Sequence, residues 1–147
     1  MNFLLRSMIC LAKFAFFLFF VCRIRYSYGL PSLYVKSRYR SLWEQRFLEV
    51  EAIIFVIDAS DALRFCIVED ELQALLQHPH LQDRPIPLLL CANKMDSIGA
   101  VSPEELCETL HLADISDRPW RIVSTNGILG KGIDIGVDWL CQQFEAK

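Results

Sequence analysis

The chain has 147 residues, enough for one domain with one sizeable core. Apolar residues make up 53% of it, which excludes a chain disordered by composition. A formal net charge of −3 argues against a generalised nucleic-acid binder.

That net charge hides a break. Residues 1–40 carry seven basic residues (Arg6, Lys13, Arg23, Arg25, Lys36, Arg38, Arg40) and no acid. Residues 41–147 carry eight basic residues against eighteen acidic ones, a balance of −10. The two parts differ in origin or in environment. Residues 1–37 read as a basic, apolar N-terminal segment and residues 38–147 as the globular part.

The first apolar stretch runs to Cys22 and includes LAKFAFFLFFVC. It is short for a spanning helix, which needs about 20 apolar residues, and Lys13 interrupts it. It has the length of a signal h-region, but Arg23-Ile-Arg25 follows where a cleavage site of small residues would stand. Either residues 1–22 give membrane association, with the basic flank leaving residues 23–147 cytoplasmic, or the stretch is foreign to the domain. Its composition suggests no strand or helix of a layered fold, so residues 1–22 are expected to be dispensable for folding.

After Gly29-Leu-Pro31 the texture changes. Ser41 to Val50 is a short helical pattern with Leu42, Trp43, Phe47 and Leu48 on one side. Ala52 to Ile57 is a continuous β-branched and aromatic run, suited to a strand covered on both faces. Asp58-Ala-Ser-Asp61 ends it with turn chemistry. Val68 to Leu76 has helical apolar spacing, and Pro79 closes it. Ile86 to Ala92 is a second buried strand. Ser102-Pro-Glu-Glu105 is a helix start, with Ser as N-cap, Pro at the first helical position and acids in the first turn. Arg121 to Val123 is a third strand. Ile133 to Phe144 is a last helix, offering Ile135, Val137, Leu140 and Phe144 to the core. Strands alternating with helices predict an α/β fold with a parallel sheet and right-handed crossovers.

The six cysteines are widely scattered, most of them inside apolar patterns where a free thiol behaves as a small hydrophobe, and residues 41–147 read as facing a reducing compartment. His78-Pro-His80 reads as a turn, and the three histidines suggest no metal site.

The chemistry concentrates at CANKMD, residues 91–96. Ligands of open α/β sheets sit beyond the carboxyl ends of the strands, where Asn93, Lys94 and Asp96 fall. A carboxylate there can accept two parallel hydrogen bonds from an N–H/NH₂ pair. Guanine presents that pair at N1 and N2, and adenine does not, so Asp96 would select guanine. The Lys94 stem can lie along the base, and Asn93 can tie this turn to neighbouring loops. Val123, Ser124 and Thr125 begin a second loop, whose backbone N–H groups could donate to guanine O6. Gly130-Lys-Gly132 then supplies a tight turn into the last helix.

Residues 38–147 resemble the C-terminal portion of a small GTPase of the Arf/Arl family. The residues that carry the resemblance are Arg38-Tyr-Arg-Ser-Leu-Trp-Glu44, Ala52-Ile-Ile-Phe-Val-Ile-Asp58, Cys91-Ala-Asn-Lys-Met-Asp96, Pro119-Trp120 and Gly136-Val-Asp-Trp-Leu140. The succession is similar to that of ciliary members that recruit the Bardet–Biedl coat complex. The resemblance implies the three-layer, Ras-like fold of P-loop NTPases, represented by its C-terminal portion. It implies GTP or GDP and Mg²⁺ as ligands, protein transport at the cilium or membrane periphery, and that coat complex as partner. It assigns guanine binding to Asn93, Lys94, Asp96, Val123, Ser124 and Thr125. Ser124 stands where the family usually has Ala, and Ala62 where it usually has Arg.

The family's phosphate loop has no counterpart, because no G-x-x-x-x-G-K-S/T occurs in these 147 residues. Its Asp-x-x-Gly-Gln motif would fall just before Arg38, where Ser32, Val35 and Lys36 stand. The chain starts Met-Asn and not with the Met-Gly of a myristoylation signal. No residue is therefore assigned a catalytic role and none a metal. Two readings follow for these 147 residues: an incomplete GTP-binding switch protein, or an interaction module or membrane-anchored relative that does not cycle nucleotide. Loss of the family's first strand would leave one edge of Ala52–Ile57 open.

Overall fold

A computed structural model describes residues 47–146 and the backbone of residues 17–21. The helical pattern expected to begin at Ser41, with Leu42 and Trp43, lies mostly outside them. Four parallel strands form one sheet in the order β1-β2-β3-β4. They are β1 (Phe17–Val21), β2 (Ala52–Asp58), β3 (Leu88–Asn93) and β4 (Trp120–Thr125). Three helices follow β2, β3 and β4 in turn: α1 (Phe65–Leu76), α2 (Pro103–Thr109) and α3 (Ile133–Glu145).

The continuous apolar runs of β2 and β3 are explained by cover on both faces. Ile53, Phe55 and Ile57 of β2 join Leu88, Leu90 and Ala92 of β3 in the larger core, beneath α1 and α2. The alternate residues Ala52 and Ile54 join Leu89, Val123, Trp139 and Leu140 on the opposite face, beneath α3. Phe65, Val68, Leu72 and Leu75 form the buried stripe of α1. Ser102 caps α2 as its sequence predicts, accepting a hydrogen bond from the Glu105 N–H at 3.2 Å. Such a cap contributes about 1 kcal/mol.

Three expectations change. Residues 17–21 form β1, paired with β2 from Phe17↔Ala52 to Val21↔Val56. They are part of the layered fold, and the edge of β2 is occupied. An aromatic and β-branched run suits a strand paired along its length as well as it suits an h-region. No helix among the described residues is long and apolar enough to cross a membrane, and the membrane reading of residues 1–22 lies, apart from residues 17–21, outside the described residues. On α3, Ile135 is exposed, while Gly136 and Trp139 are buried with Val137 and Leu140. Ile135 lies about 200° around the helix from Val137, outside the stripe that meets the sheet. Leu48 is exposed and does not share the buried side of Phe47.

The chain entering β2 is clamped by Arg84. Its Nη1 donates to the Phe47 carbonyl at 2.6 Å and its Nη2 to the Val50 carbonyl at 2.7 Å. Phe47 and Val50 are thereby held in the α1-side core.

Candidate functional site

Strand pairing alone builds the site. The register sets Asp58 of β2 opposite Asn93 of β3, and Asn93 opposite Thr125 of β4. One row across the carboxyl edge of the sheet thus carries a carboxylate, an amide and a hydroxyl.

Asn93 joins the two loops that leave β3 and β4. Its Oδ1 accepts the Gly127 N–H at 2.9 Å and the Thr125 hydroxyl at 3.4 Å. Thr125 is buried, and its one hydroxyl proton is shared between that oxygen and the Ala92 carbonyl, also at 3.4 Å. The Met95 N–H reaches the Thr125 carbonyl at 3.4 Å. The loop after β3 is therefore tied to the end of β4 by side chain and backbone together.

Lys94 occupies the left-handed region at φ +65°. Its ammonium pairs with the Asp58 carboxylate. The other Asp58 oxygen accepts from the Ser60 hydroxyl at 2.6 Å and the Ser60 N–H at 3.2 Å. Burial pushes the Asp58 carboxyl up, but the hydrogen bonds from Lys94 and Ser60 outweigh it and hold it below the usual carboxylate range. Asp96 is exposed at the tip of the same loop. An exposed carboxylate two residues beyond an anchored lysine can accept a planar pair of donors from solvent.

The loop after β4 is set by Asn126. Its Oδ1 accepts the N–H groups of Ile128 and Leu129, both at 3.0 Å. Gly130 and Gly132 then adopt φ +71° and +76°, the tight turn that the sequence predicts. A Cβ at Gly132 would lie 1.9 Å from the Ser124 carbonyl oxygen, so the start of α3 rests directly on this loop's backbone. Ser124 is exposed, and Val123 is buried beneath α3.

The structure gathers the six sequence-selected residues near the carboxyl ends of β3 and β4, but Asn93 is the last residue of β3, and Val123, Ser124 and Thr125, expected to begin a loop, are the last three residues of β4, so that Lys94 and Asp96 alone stand in a loop. Their side chains differ in office. Asn93 and Thr125 are spent on internal hydrogen bonds, Lys94 is held by Asp58, and Asp96 faces solvent. Sequence reading missed Asp58 and Ser60 as the anchor of Lys94, and Asn126 as the residue that shapes the second loop. Asp58 ends a strand as Asn93 does, and that parallel was the available signal. Among the described residues there is no group of three or more His, Cys, Asp or Glu side chains that could hold a metal ion.

Comparisons with known proteins bear on this geometry. The model of the ADP-ribosylation factor family matches residues 34–144. ADP-ribosylation factor-like protein 6 of Danio rerio is 46% identical over 111 residues, which cover 76% of this chain and 60% of that protein. ADP-ribosylation factor-like protein 1 of Saccharomyces cerevisiae is 41% identical over 101 residues, 69% of this chain and 54% of that one. The chain therefore spans less than two thirds of the length of these relatives. Among solved structures, the Arl6 BBS3 small GTPase of Trypanosoma brucei with bound nucleotide analogue GppNp superposes with a TM-score of 0.70. It is 39% identical, with 74% of this chain and 67% of that chain covered.

Proposed function

The chain belongs to the ADP-ribosylation factor family, and from that membership we propose that it carries the guanine-reading half of a small-GTPase site. Its described sheet matches the C-terminal portion of the Ras-like P-loop GTPase fold. The observation that supports the reading best is the Asn93 bridge, because it sets the loop bearing Lys94 and Asp96 against the end of β4, which bears Val123, Ser124 and Thr125, and the Gly127 loop that follows it. Asp96 accepts from guanine N1–H and the N2 amine. Lys94, fixed by Asp58, lays its stem along the base. The backbone of the second loop faces O6. Two charge-assisted hydrogen bonds that adenine cannot return favour guanine by several kcal/mol.

The residues of these 147 positions fit a guanine base, and they do not fit a triphosphate with Mg²⁺. Phosphate binding in P-loop proteins uses a glycine-rich loop, its lysine and a metal-binding hydroxyl, and the sequence contains no such motif. The reading is therefore of guanine-selective but weak binding by the 147-residue chain, and of no useful GTP hydrolysis. The similarity to Arl6 BBS3 supports a place in ciliary or membrane protein transport, with the Bardet–Biedl coat complex as partner.

A titration with a fluorescent GDP analogue tests the reading. A dissociation constant well above micromolar is expected, with displacement by GDP and none by ADP. Sub-micromolar binding would refute the weak-binding claim, and equal displacement by ADP would refute the guanine claim.

A further inference from the structure

Phosphate is held at a sheet edge by a cation or by converging backbone N–H groups. The passage from β4 into α3 has the composition of the second device. Gly127, Gly130 and Gly132 punctuate it, Lys131 stands among them, and a helix follows. Glycine-rich loops between a strand and a helix cradle phosphates at the helix N-terminus.

Here the cradle is already filled. The N–H groups of Ile128 and Leu129 both donate to Asn126 Oδ1, at 3.0 Å. The next N–H, that of Gly130, donates to the Asn126 carbonyl at 2.8 Å. Three consecutive donors that could converge on an anion thus converge on one buried asparagine. Asp134 lies in the first turn of α3, where its charge opposes an anion. The loop after β2 is closed in the same manner. The Ala59 N–H donates to the Asn93 carbonyl at 3.0 Å, the Ser60 N–H to the Asp58 carboxylate at 3.2 Å and the Asp61 N–H to the Asp58 carbonyl at 3.3 Å.

The cations of this edge are engaged as well. The Lys94 ammonium pairs with Asp58, which the Ser60 hydroxyl holds from its other oxygen. Arg64 pairs with Asp61 at 3.0 Å. Lys131 is exposed, and Asp134 follows it three residues on. Asp96 is exposed and offers acceptors. The edge therefore meets the N–H groups of a base with acceptors, and meets a phosphate with negative charge.

We propose that the ligand of this edge is a guanine nucleoside carrying no phosphate. Asn126 and Asp58 are the specificity-determining residues, because they occupy the donors and the cation that a phosphate would need. The proposal rests on the guanine reading above and goes beyond it. There, weak nucleotide binding follows from a motif that the sequence lacks; here, the loops that are present turn phosphate away. Affinity is then flat or falling in the order guanosine, GMP, GDP, the reverse of a protein that grips phosphates.

NMR titration of the full chain with guanosine, GMP, GDP and adenosine, at low and at high salt, tests it. Guanosine should bind at least as tightly as GMP and GDP, and adenosine should not bind. Added salt should not weaken GMP or GDP, because no ion pair to phosphate is lost. GMP or GDP binding several-fold tighter than guanosine, or a GMP affinity that falls steeply with salt, would overturn the proposal and leave the guanine reading standing. Adenosine binding equal to that of guanosine, or no response to any guanine ligand, would overturn the guanine reading and the proposal with it. Two variants test the assigned residues. Asp58→Asn releases the Lys94 ammonium, and Asn126→Ala releases the Ile128 and Leu129 N–H groups. In each, the affinity of GMP relative to guanosine should rise several-fold. An unchanged ratio in both variants, each shown to be folded by its amide spectrum, would overturn the roles given to Asp58 and Asn126.

Discussion

Replacing Gly132 with alanine should damage the candidate site more than replacing Gly130, although the two glycines share a turn and a backbone conformation. Both have positive φ, +71° at Gly130 and +76° at Gly132. A left-handed non-glycine residue costs about 1–2 kcal/mol. At Gly130 nothing lies within 4 Å of the added Cβ, so that cost stands alone. At Gly132 the Cβ would sit 1.9 Å from the Ser124 carbonyl oxygen, with the Ser124 carbonyl carbon at 3.1 Å. Those atoms are backbone and cannot rotate away. Either the first turn of α3 lifts or the loop after β4 shifts by more than an ångström. Overpacking of this kind adds about 1–3 kcal/mol. Gly130→Ala should therefore lose roughly 1–2 kcal/mol and Gly132→Ala roughly 2–5 kcal/mol. Urea unfolding separates them: with a slope near 2 kcal/mol/M, a 2 kcal/mol gap moves the midpoint by about 1 M. Amide shifts of Ser124 and Thr125 should move in Gly132→Ala and stay in Gly130→Ala. Equal stability of the two variants, within about 0.5 kcal/mol, would refute the close approach on which the second loop is built.

Three further outcomes are expected. The Asp58 carboxyl titrates below its unfolded value, so its contribution is complete above the unfolded-state pKa near 4 and is lost as pH falls through the folded value; urea midpoints should therefore drop more steeply between pH 5 and pH 3 in the wild type than in Asp58→Asn, and parallel curves would contradict the Lys94 anchor. Arg84→Met removes two hydrogen bonds to the Phe47 and Val50 carbonyls and should cost about 2–3 kcal/mol in thermal or urea unfolding, with Arg84→Lys recovering less than half because it lacks the fork. Of two adjacent residues on an edge strand one N–H faces the neighbouring strand, so at least one of Leu18→Pro and Phe19→Pro should strongly lower the unfolding midpoint; two variants as stable as the wild type would show β1 to be dispensable.

Local pattern carried much of this fold. The apolar runs of β2 and β3 and the stripe of α1 could be read directly, because burial on two faces or one leaves a mark in a single segment. Ser102 and Pro103 announced the start of α2 by capping chemistry that is complete within four residues. CANKMD could be placed at a carboxyl edge because the strand before it was unmistakable. What escaped was non-local. Phe17–Val21 is as apolar as an h-region, and only its pairing with β2, more than thirty residues away, makes it a strand. Asp58 looked like turn chemistry after a strand until register set it opposite Asn93 and within reach of Lys94. Hydrophobicity alone points Ile135 to the core, although the stripe that meets the sheet runs through Gly136, Val137 and Leu140.

The central claim, a guanine-reading half-site built on the Asn93 bridge, is tested most directly by amide NMR of the full chain titrated with GDP and, separately, with ADP. GDP should shift the amides of Asp96, Ser124 and Gly127 along a weak-binding curve, with a dissociation constant on the order of 0.1–1 mM, about −4 to −5.5 kcal/mol. ADP should leave those amides in place, and Asp96→Ala should abolish the GDP response while the Gly127 amide keeps its bond to Asn93. Equal shifts with ADP, or a GDP response that survives Asp96→Ala, would contradict the account.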